Sequence, residues 1–427
     1  MIKTEILEEL SPERRKEILD RSAPVLAEIA EATGRILKAL RADPEKEMTR
    51  EYGHLKGDFK IGDLKVGEDE FERAFSRSDP DFVKALGAAA KNIETFHRIQ
   101  LERPLWFTEV SPGVMAGRMT RPVAAAGVYV PGGRASYPSS ALMTVIPAKV
   151  AGVGKVVCCS PPGENLEINA GTLVAAKIAG ADGFFKLGGA WAVGAMAYGL
   201  AGVPKVDKVV GPGSSWVTAA KLAVYGEVDI DSPAGPSEGF VISDGKNDPV
   251  LLAWDFLAQL EHDPQAAAVL VTTDAKEAGE VLAIVRGAVP SLKRREIVEE
   301  SSRGAAVLVA KDLKSAFAFS NAYAPEHLEL AVEDPLSCLS MVENAGSVFL
   351  GLSTPIPAGD YATGTNHVLP TGGAARAFSG LSVDTFLKKI TFQKLTREGL
   401  AGLAPTAETL AAAEGLECHA KAVRVRV

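Results

Sequence analysis

The chain has 427 residues, 47% of them apolar and 23% charged, with 54 acidic against 46 basic side chains and a formal net charge of −8. A chain of that length buries a large core and divides into more than one folding unit. The composition excludes a disordered chain, and the acidic excess argues against a nucleic-acid partner, which needs clustered Lys and Arg. The one basic cluster, Lys293-Arg294-Arg295, is offset by Glu296, Glu299 and Glu300 and reads as a solvated helix face. Cys158, Cys159, Cys338 and Cys418 have no CxxC spacing, which argues against a disulfide framework or a thiolate zinc site. The opening Met1-Ile2-Lys3-Thr4-Glu5-Ile6 lacks the apolar stretch of a signal peptide, and no run reaches the roughly 18 apolar residues of a membrane span. A cytoplasmic location is expected.

Residues 1–105 are expected to be helical, because apolar positions at Ile18-Leu19, Val25 to Ile29 and Ile36 to Leu40 are separated by charges at helical spacing. From residue 122 short β-branched runs alternate with alanine-rich stretches, the pattern of helices packed over a mostly parallel sheet. The expected strands are Ala126–Val130, Lys155–Ser160, Gly183–Leu187 and Val206–Val210, with helices over 140–151, 167–179, 190–201 and 214–225. A second series follows Pro236, with a helix over 248–262, strands near 267–273, 304–310, 327–331 and 346–350, and helices between. The fold class is therefore α/β, with two layered units in tandem. Residues 353–379 break any regular element, since Pro355, Pro357, Gly359, Gly364, Gly372 and Gly373 crowd there. A loop that long in a compact protein is usually functional. Helices are expected over Asp384–Lys388 and Leu395–Ala413, and the alternation in Ala422-Val423-Arg424-Val425-Arg426-Val427 fits a terminal edge strand. So short a tail has no secure core of its own and is expected to pack on something else, such as another subunit.

Of six histidines, His54 and His97 lie in charged helical surroundings, whereas His262, His327, His367 and His419 lie in segments dense with carboxylate, amide or proline. Neutral imidazole is both a common metal ligand and a base near neutral pH. Gln259 and His262 are three apart, so on a helix they share a face, and Asp263-Pro264 stops that helix beside them. They form either a two-point clip for a metal or a solvated polar pair. Asp360 and His419 would complete a four-ligand nitrogen and oxygen site. Glu326-His327 joins an acid and an imidazole where a helix gives way to a strand; it suits two proton transfers at one substrate, or else a surface turn. Gly211-Pro212-Gly213-Ser214-Ser215-Trp216 follows a strand and opens a helix, half of a dinucleotide fingerprint without its last glycine. Val130-Pro131-Gly132-Gly133 either brings backbone close to a ligand or is a plain turn.

Together, Gly127-Val128-Tyr129-Val130-Pro131-Gly132-Gly133, Ala234-Gly235-Pro236-Ser237-Glu238, Gln259 to Pro264, Ala324-Pro325-Glu326-His327 and Ser379-Gly380-Leu381-Ser382-Val383 resemble histidinol dehydrogenase, from about residue 20 to the end. The resemblance implies two tandem incomplete Rossmann-like domains with small helical N-terminal and C-terminal segments. On that plan residues 1–105 are a helical N-terminal region, 106–126 with 236–375 an α/β domain carrying the metal and catalytic segments, 127–235 a second α/β domain on the nucleotide side, and 376–427 a tail packing on the partner subunit.

The resemblance further implies oxidation of L-histidinol to L-histidine through the aldehyde, with two successive hydride transfers to NAD and one Zn2+ per site. By position, Gln259, His262, Asp360 and His419 match metal ligands and Glu326 and His327 the catalytic pair. Ser237, His367 and Glu414 match substrate contacts, as do the metal-ligand positions and His327. Tyr129 matches a cofactor contact. Trp191 and Ser214 stand where the family commonly has Gln and Asn, so the NAD side departs from the pattern. The family's tail crosses to the partner in a homodimer, so Glu414 and His419 would complete the neighbour's site. The alternatives are a related zinc- and NAD-dependent dehydrogenase of another small polar alcohol, a zinc hydrolase and a non-catalytic binding protein.

Overall fold

A computed structural model describes residues 2–21, 26–132, 136–233 and 235–427. Val25, Gly133 and Ala234, named above among helix and motif positions, lie outside the described residues. The first hundred residues are largely helical, as expected, with Pro12–Leu19, Leu26–Ala42, Pro44–Tyr52, Glu68–Arg77 and Pro80–Ile99. Their starts are written in the sequence: Ser11, Asp43 and Asp79 each accept a backbone N–H at a helix opening, and proline follows each of the three. Strand β1, Thr4–Ile6, departs from the helical expectation because it extends a parallel sheet by pairing with Ala306–Val309. Strands β2 (Leu105–Ser111) and β3 (Val114–Pro122) form an antiparallel pair. Residues 105–122 hydrogen-bond to neither parallel sheet.

Strands β4 (Ala125–Tyr129), β5 (Lys155–Ser160), β6 (Gly183–Lys186), β7 (Lys208–Val210) and β8 (Asp229–Ile230) form a parallel sheet in the order β6-β5-β4-β7-β8. Every strand expected in this stretch is present within two residues. Runs such as Val156-Val157-Cys158-Cys159 are buried on both faces because helices cover both sides. Chain order reverses between β4 and β7, and their carboxyl ends open a crevice where such folds bind ligands.

The second series repeats this plan. Strands β9 (Glu238–Ser243), β10 (Ala267–Thr272), β11 (Ala306–Val309), β12 (His327–Ala331) and β13 (Ser347–Leu350) lie in the order β1-β11-β10-β9-β12-β13. Apart from β1 the order matches that of the first sheet, so β9 and β12 flank its reversal. Strand β9 is the one core strand of this series that the sequence reading passed over, although Phe240-Val241-Ile242 is a β-forming run.

The tail departs from expectation twice. Over 384–388 there is a short turn of 3-10 helix, Val383–Phe386, and then strand β14 (Leu387–Leu395), which pairs antiparallel with β3 along its whole length. That pairing partner lies some 270 residues away, beyond the reach of local pattern. In place of the expected edge strand over 422–427, residues 422–424 end the helix Glu417–Arg424 and 425–426 follow it as a turn. Arg424 reaches Glu408 on the helix Arg397–Ala413 at 2.8 Å, and Ala420 packs inward. The segment 353–379 is also less irregular than expected, because Pro355 opens the helix Ile356–Tyr361, which carries Asp360.

Candidate active site

A cleft of about 790 Å³ lies between the two parallel sheets. One wall is built from the carboxyl ends of β4 and β7, with Pro131, Gly132 and Pro212 to Trp216. The other is built from the amino ends of β9 and β12, with Ser237, Glu326 and His327, and from His262, Asp360 and His367. Gly211, at the turn between β7 and the cleft, has φ +118, and a side chain there would strike the Tyr129 carbonyl. Its N–H donates to Asp231 at 2.7 Å and its carbonyl accepts from the buried Lys221 at 3.1 Å, so an internal ion pair holds the loop from behind.

The acid and imidazole at the start of β12 are fixed by β9. Oε2 of Glu326 accepts from the Ser237 hydroxyl at 2.9 Å and from the Glu238 N–H at 2.8 Å. Nδ1 of His327 donates to the Glu238 carbonyl at 3.0 Å, which fixes the tautomer and turns Nε2 toward Asp360, 3.3 Å away. Burial disfavours the imidazolium, but the charge of Glu326 and the hydrogen bonds with Asp360 and Glu326 outweigh it and hold His327 well above the ordinary histidine range. Burial likewise pushes Asp360 up, yet its contact with His327 keeps the carboxyl below the usual range. With Nδ1 committed to a carbonyl, a carboxylate beside Nε2 favours a second proton there.

His367 is held at both nitrogens: Nδ1 donates to the Asp360 carbonyl at 2.8 Å and Nε2 accepts from the Ser140 hydroxyl at 3.2 Å. Burial, which outweighs the nearby Asp360 carboxylate, lowers its pKa below the ordinary histidine value. Gln259 is fully buried at the end of the helix Pro249–Leu260, where its side chain crosses β9 over Gly239; any Cβ at Gly239 would collide with it. Its Oε1 lies 3.4 Å from the Ser237 hydroxyl, and its Nε2 has no hydrogen-bond partner. His262 follows one turn later and lines the cleft.

Gln259, His262, Asp360, Glu326, His327, Ser237 and His367 thus converge on one side of the cleft. Glu414 and His419 do not join them: both are exposed on the tail and neither lines the cleft. Among the described residues no three His, Cys, Asp or Glu side chains group as a metal site within the chain. The cofactor positions also separate. Ser214 lines the cleft at the opening of the helix Ser215–Val224. Tyr129 is buried beneath it, its hydroxyl accepting from the Gly189 N–H at 3.3 Å, and Trp191 donates its indole N–H to Glu47 at 3.2 Å, away from the cleft. Sequence reasoning missed Ser140, the lining face of Trp216, and Glu238 as the clamp on Glu326 and His327. Only Trp216, in a glycine loop at a strand end, gave a local signal.

The histidinol dehydrogenase family model matches residues 19–427. The chain is 47% identical to a histidinol dehydrogenase of Methanosarcina mazei over 401 residues, covering 94% of this chain and 92% of that protein. With one from Methanothermobacter thermautotrophicus the identity is 46% over 415 residues, 97% of each chain. The crystal structure of histidinol dehydrogenase from Elizabethkingia anophelis superposes with a TM-score of 0.94 at 37% identity, covering 100% of this chain and 98% of that one. From end to end, in sequence and in fold, this chain belongs to the histidinol dehydrogenase family and is an oxidoreductase.

Proposed function

We propose that the protein oxidises L-histidinol to L-histidine through L-histidinal, passing two hydrides in succession to NAD, as the last step of histidine biosynthesis. The observation that carries this reading is the pinned pair: His327 with one nitrogen tied back and the other facing the cleft, beside a Glu326 oriented through Oε2 alone. His327 removes the alcohol proton as the first hydride departs, giving the aldehyde. Glu326, with Oε1 left to act, takes a proton from the water that adds to the aldehyde, and His327 removes the hydrate's proton as the second hydride departs. His367 and Ser237 offer hydrogen bonds for orienting the substrate. Ser214 and the exposed edge of Trp216 line the wall on which the nucleotide is proposed to lie, with Tyr129 and Trp191 supporting that wall from behind.

The donor set suits a zinc ion. Gln259, His262 and Asp360 are nitrogen and oxygen donors on one side of the cleft, and Gln259 has a buried amide end with no partner. Exchanging its nearly indistinguishable N and O atoms would leave an unpartnered oxygen, the end a cation needs. When bound, zinc would hold the substrate's amine and hydroxyl and neutralise Asp360. His419 of the partner subunit would supply the fourth donor. Two features support a homodimer with shared sites: Glu414 and His419 stand exposed away from their own cleft, and β2 leaves Leu105, Trp106, Phe107 and Val110 uncovered. No helix among the described residues is long and apolar enough to cross a membrane, and the proposed location is the cytoplasm.

The test is reduced-nicotinamide absorbance after adding histidinol and NAD, or NADP for comparison, to zinc-loaded protein, with and without chelator. Two NADH per histidinol, abolished by chelation, is expected; no turnover with either cofactor overturns the reading. Mixing inactive His419→Asn and His327→Ala proteins should regain part of the activity through mixed dimers. Mixed dimers that form and stay inactive would exclude shared sites.

A further inference from the structure

We infer that Arg21 is a positioning residue for the Glu326–His327 pair, acting through the buried carboxylate of Glu238; this rests on the proposed role of that pair. Arg21 grips Glu238 with two parallel bonds, Nε to Oε1 at 2.9 Å and Nη2 to Oε2 at 2.6 Å, and both side chains are buried, at 7% and 2% exposure. The guanidinium carbon lies 3.3 Å from the centre of the Tyr323 ring, so the cation is held on two sides. Oε1 of Glu238 also accepts from the Gly372 N–H at 2.8 Å. A carboxylate fixed at three points cannot swing, and neither can its peptide. That residue's own N–H and C=O orient the two catalytic side chains, the first at Glu326 and the second at His327 Nδ1. Glu238 therefore joins a remote cation to both reacting groups without touching the cleft through its carboxylate.

The position of Arg21 along the chain gives the contact a second meaning. Before it, the N-terminal segment is fastened to the catalytic wall, because β1 pairs with β11 and Arg15 lies 5.1 Å over the Phe319 ring. After it, the chain enters the helix Leu26–Ala42, whose Leu37 and Leu40 pack in one cluster with Ala192, Val193 and Val217 of the nucleotide wall. Ile29 of the same helix lines the cleft. The described residues before and after it thus pack on the two walls, and Arg21 is the anchor beside the chemistry. Loss of that anchor releases the Glu238 peptide, and small misplacements of reacting groups lower turnover far more than they weaken ground-state binding.

The experiment measures kcat and KM for histidinol with NAD in zinc-loaded Arg21→Met, Arg21→Lys, Arg14→Met and His327→Asn proteins, with folding checked by circular dichroism. Arg14 is the control, since its pairs with Glu5 and Glu17 lie on the same segment, half-exposed and away from the cleft. Arg21→Met should lower kcat by about 10- to 100-fold with KM changed less than about threefold. Arg21→Lys keeps the charge but loses the fork, and should fall between it and the parent. Arg14→Met should match the parent. An Arg21→Met protein that folds and turns over like the parent overturns the inference, as does one in which KM rises and kcat holds. If Arg21→Met does not fold, Arg21→Lys decides: a lower kcat at unchanged KM supports the role, and parental kcat overturns it. His327→Asn separates the two readings. Parental activity there removes the catalytic pair and the Arg21 role together, whereas an inactive His327→Asn beside an unimpaired Arg21→Met removes the Arg21 role alone.

Discussion

The two parallel sheets have the same strand order yet meet the cleft with opposite ends. The sheet of β4 to β8 follows the usual rule: its carboxyl ends, at the chain reversal between β4 and β7, face the ligand space. The sheet of β9 to β13 presents the amino ends of its own reversal pair, where Ser237, Glu326 and His327 stand. Its carboxyl-end crevice is filled. Ser243 and Thr272 donate to the buried Glu277 at 2.6 and 2.5 Å, and Asn247 bonds the Ala331 carbonyl at 2.6 Å and, through its N–H, Glu277 at 3.0 Å. Topology thus marks two possible sites in each sheet end for end, and side chains decide which is open. One repeat supplies a carboxyl-end crevice of the kind that binds nucleotides, and the other, turned around, supplies the acid and imidazole to which the proposed chemistry is assigned.

This contrast is most exposed at the two ends of β12. His327→Asn, at the amino end, should lower kcat by roughly 10²- to 10⁴-fold, the range for losing a general base. Asn247→Ala, at the carboxyl end, should leave kcat within a few-fold and cost about 1–3 kcal/mol of stability by stranding the partners it bonds. Steady-state kinetics and denaturant titration read both. Comparable losses of kcat at the two ends would mean that the filled crevice is not inert.

Much of this organisation was legible. Both series of strands follow from β-branched runs at regular spacing, and five motifs carry the family resemblance. What stayed hidden depends on pairing far along the chain. Nothing near Lys388 announces that it will lie against Arg121, and Arg21 is separated from Glu238 by 217 positions. Trp191 shows the same limit on the site side: nothing near it in the sequence announces that its indole N–H will donate to Glu47, 144 positions away. The alternation of Val and Arg after Ala422 describes an edge strand equally well as a short helix, and Glu408 across the bend is consistent with the helix. Patterns specify elements; the long-range partners that choose among them are not in the window.

On the nucleotide wall the expected effect is smaller. Trp216→Ala removes an exposed aromatic face from the cleft lining, and stacking of that kind is worth about 1–3 kcal/mol per base. KM for NAD should rise by about 5- to 50-fold while KM for histidinol moves little. A reversed pattern would place the substrate on the carboxyl-end wall and undo the division of labour between the sheets.

The smallest effect lies inside β12. Glu329, two residues beyond His327, is fully buried near the buried Asp255 of the helix Pro249–Leu260, and neither of its carboxyl oxygens has a hydrogen-bond partner; burial, with the charge of Asp255, raises its pKa far above the ordinary 4.5. The folded protein therefore keeps a proton that the unfolded chain releases above about pH 4.5. Stability from this group is complete below that pH and is lost as pH rises toward the folded-state pKa. Glu329→Gln is neutral throughout. Its Tm should match the parent near pH 5 and exceed it by about 2–4 °C at pH 8. Calorimetry at the two pH values distinguishes this from an ionised pair, for which the Tm difference would not grow with pH. A gain confined to high pH would mean that β12, with His327 at its amino end, holds a neutral acid at its centre.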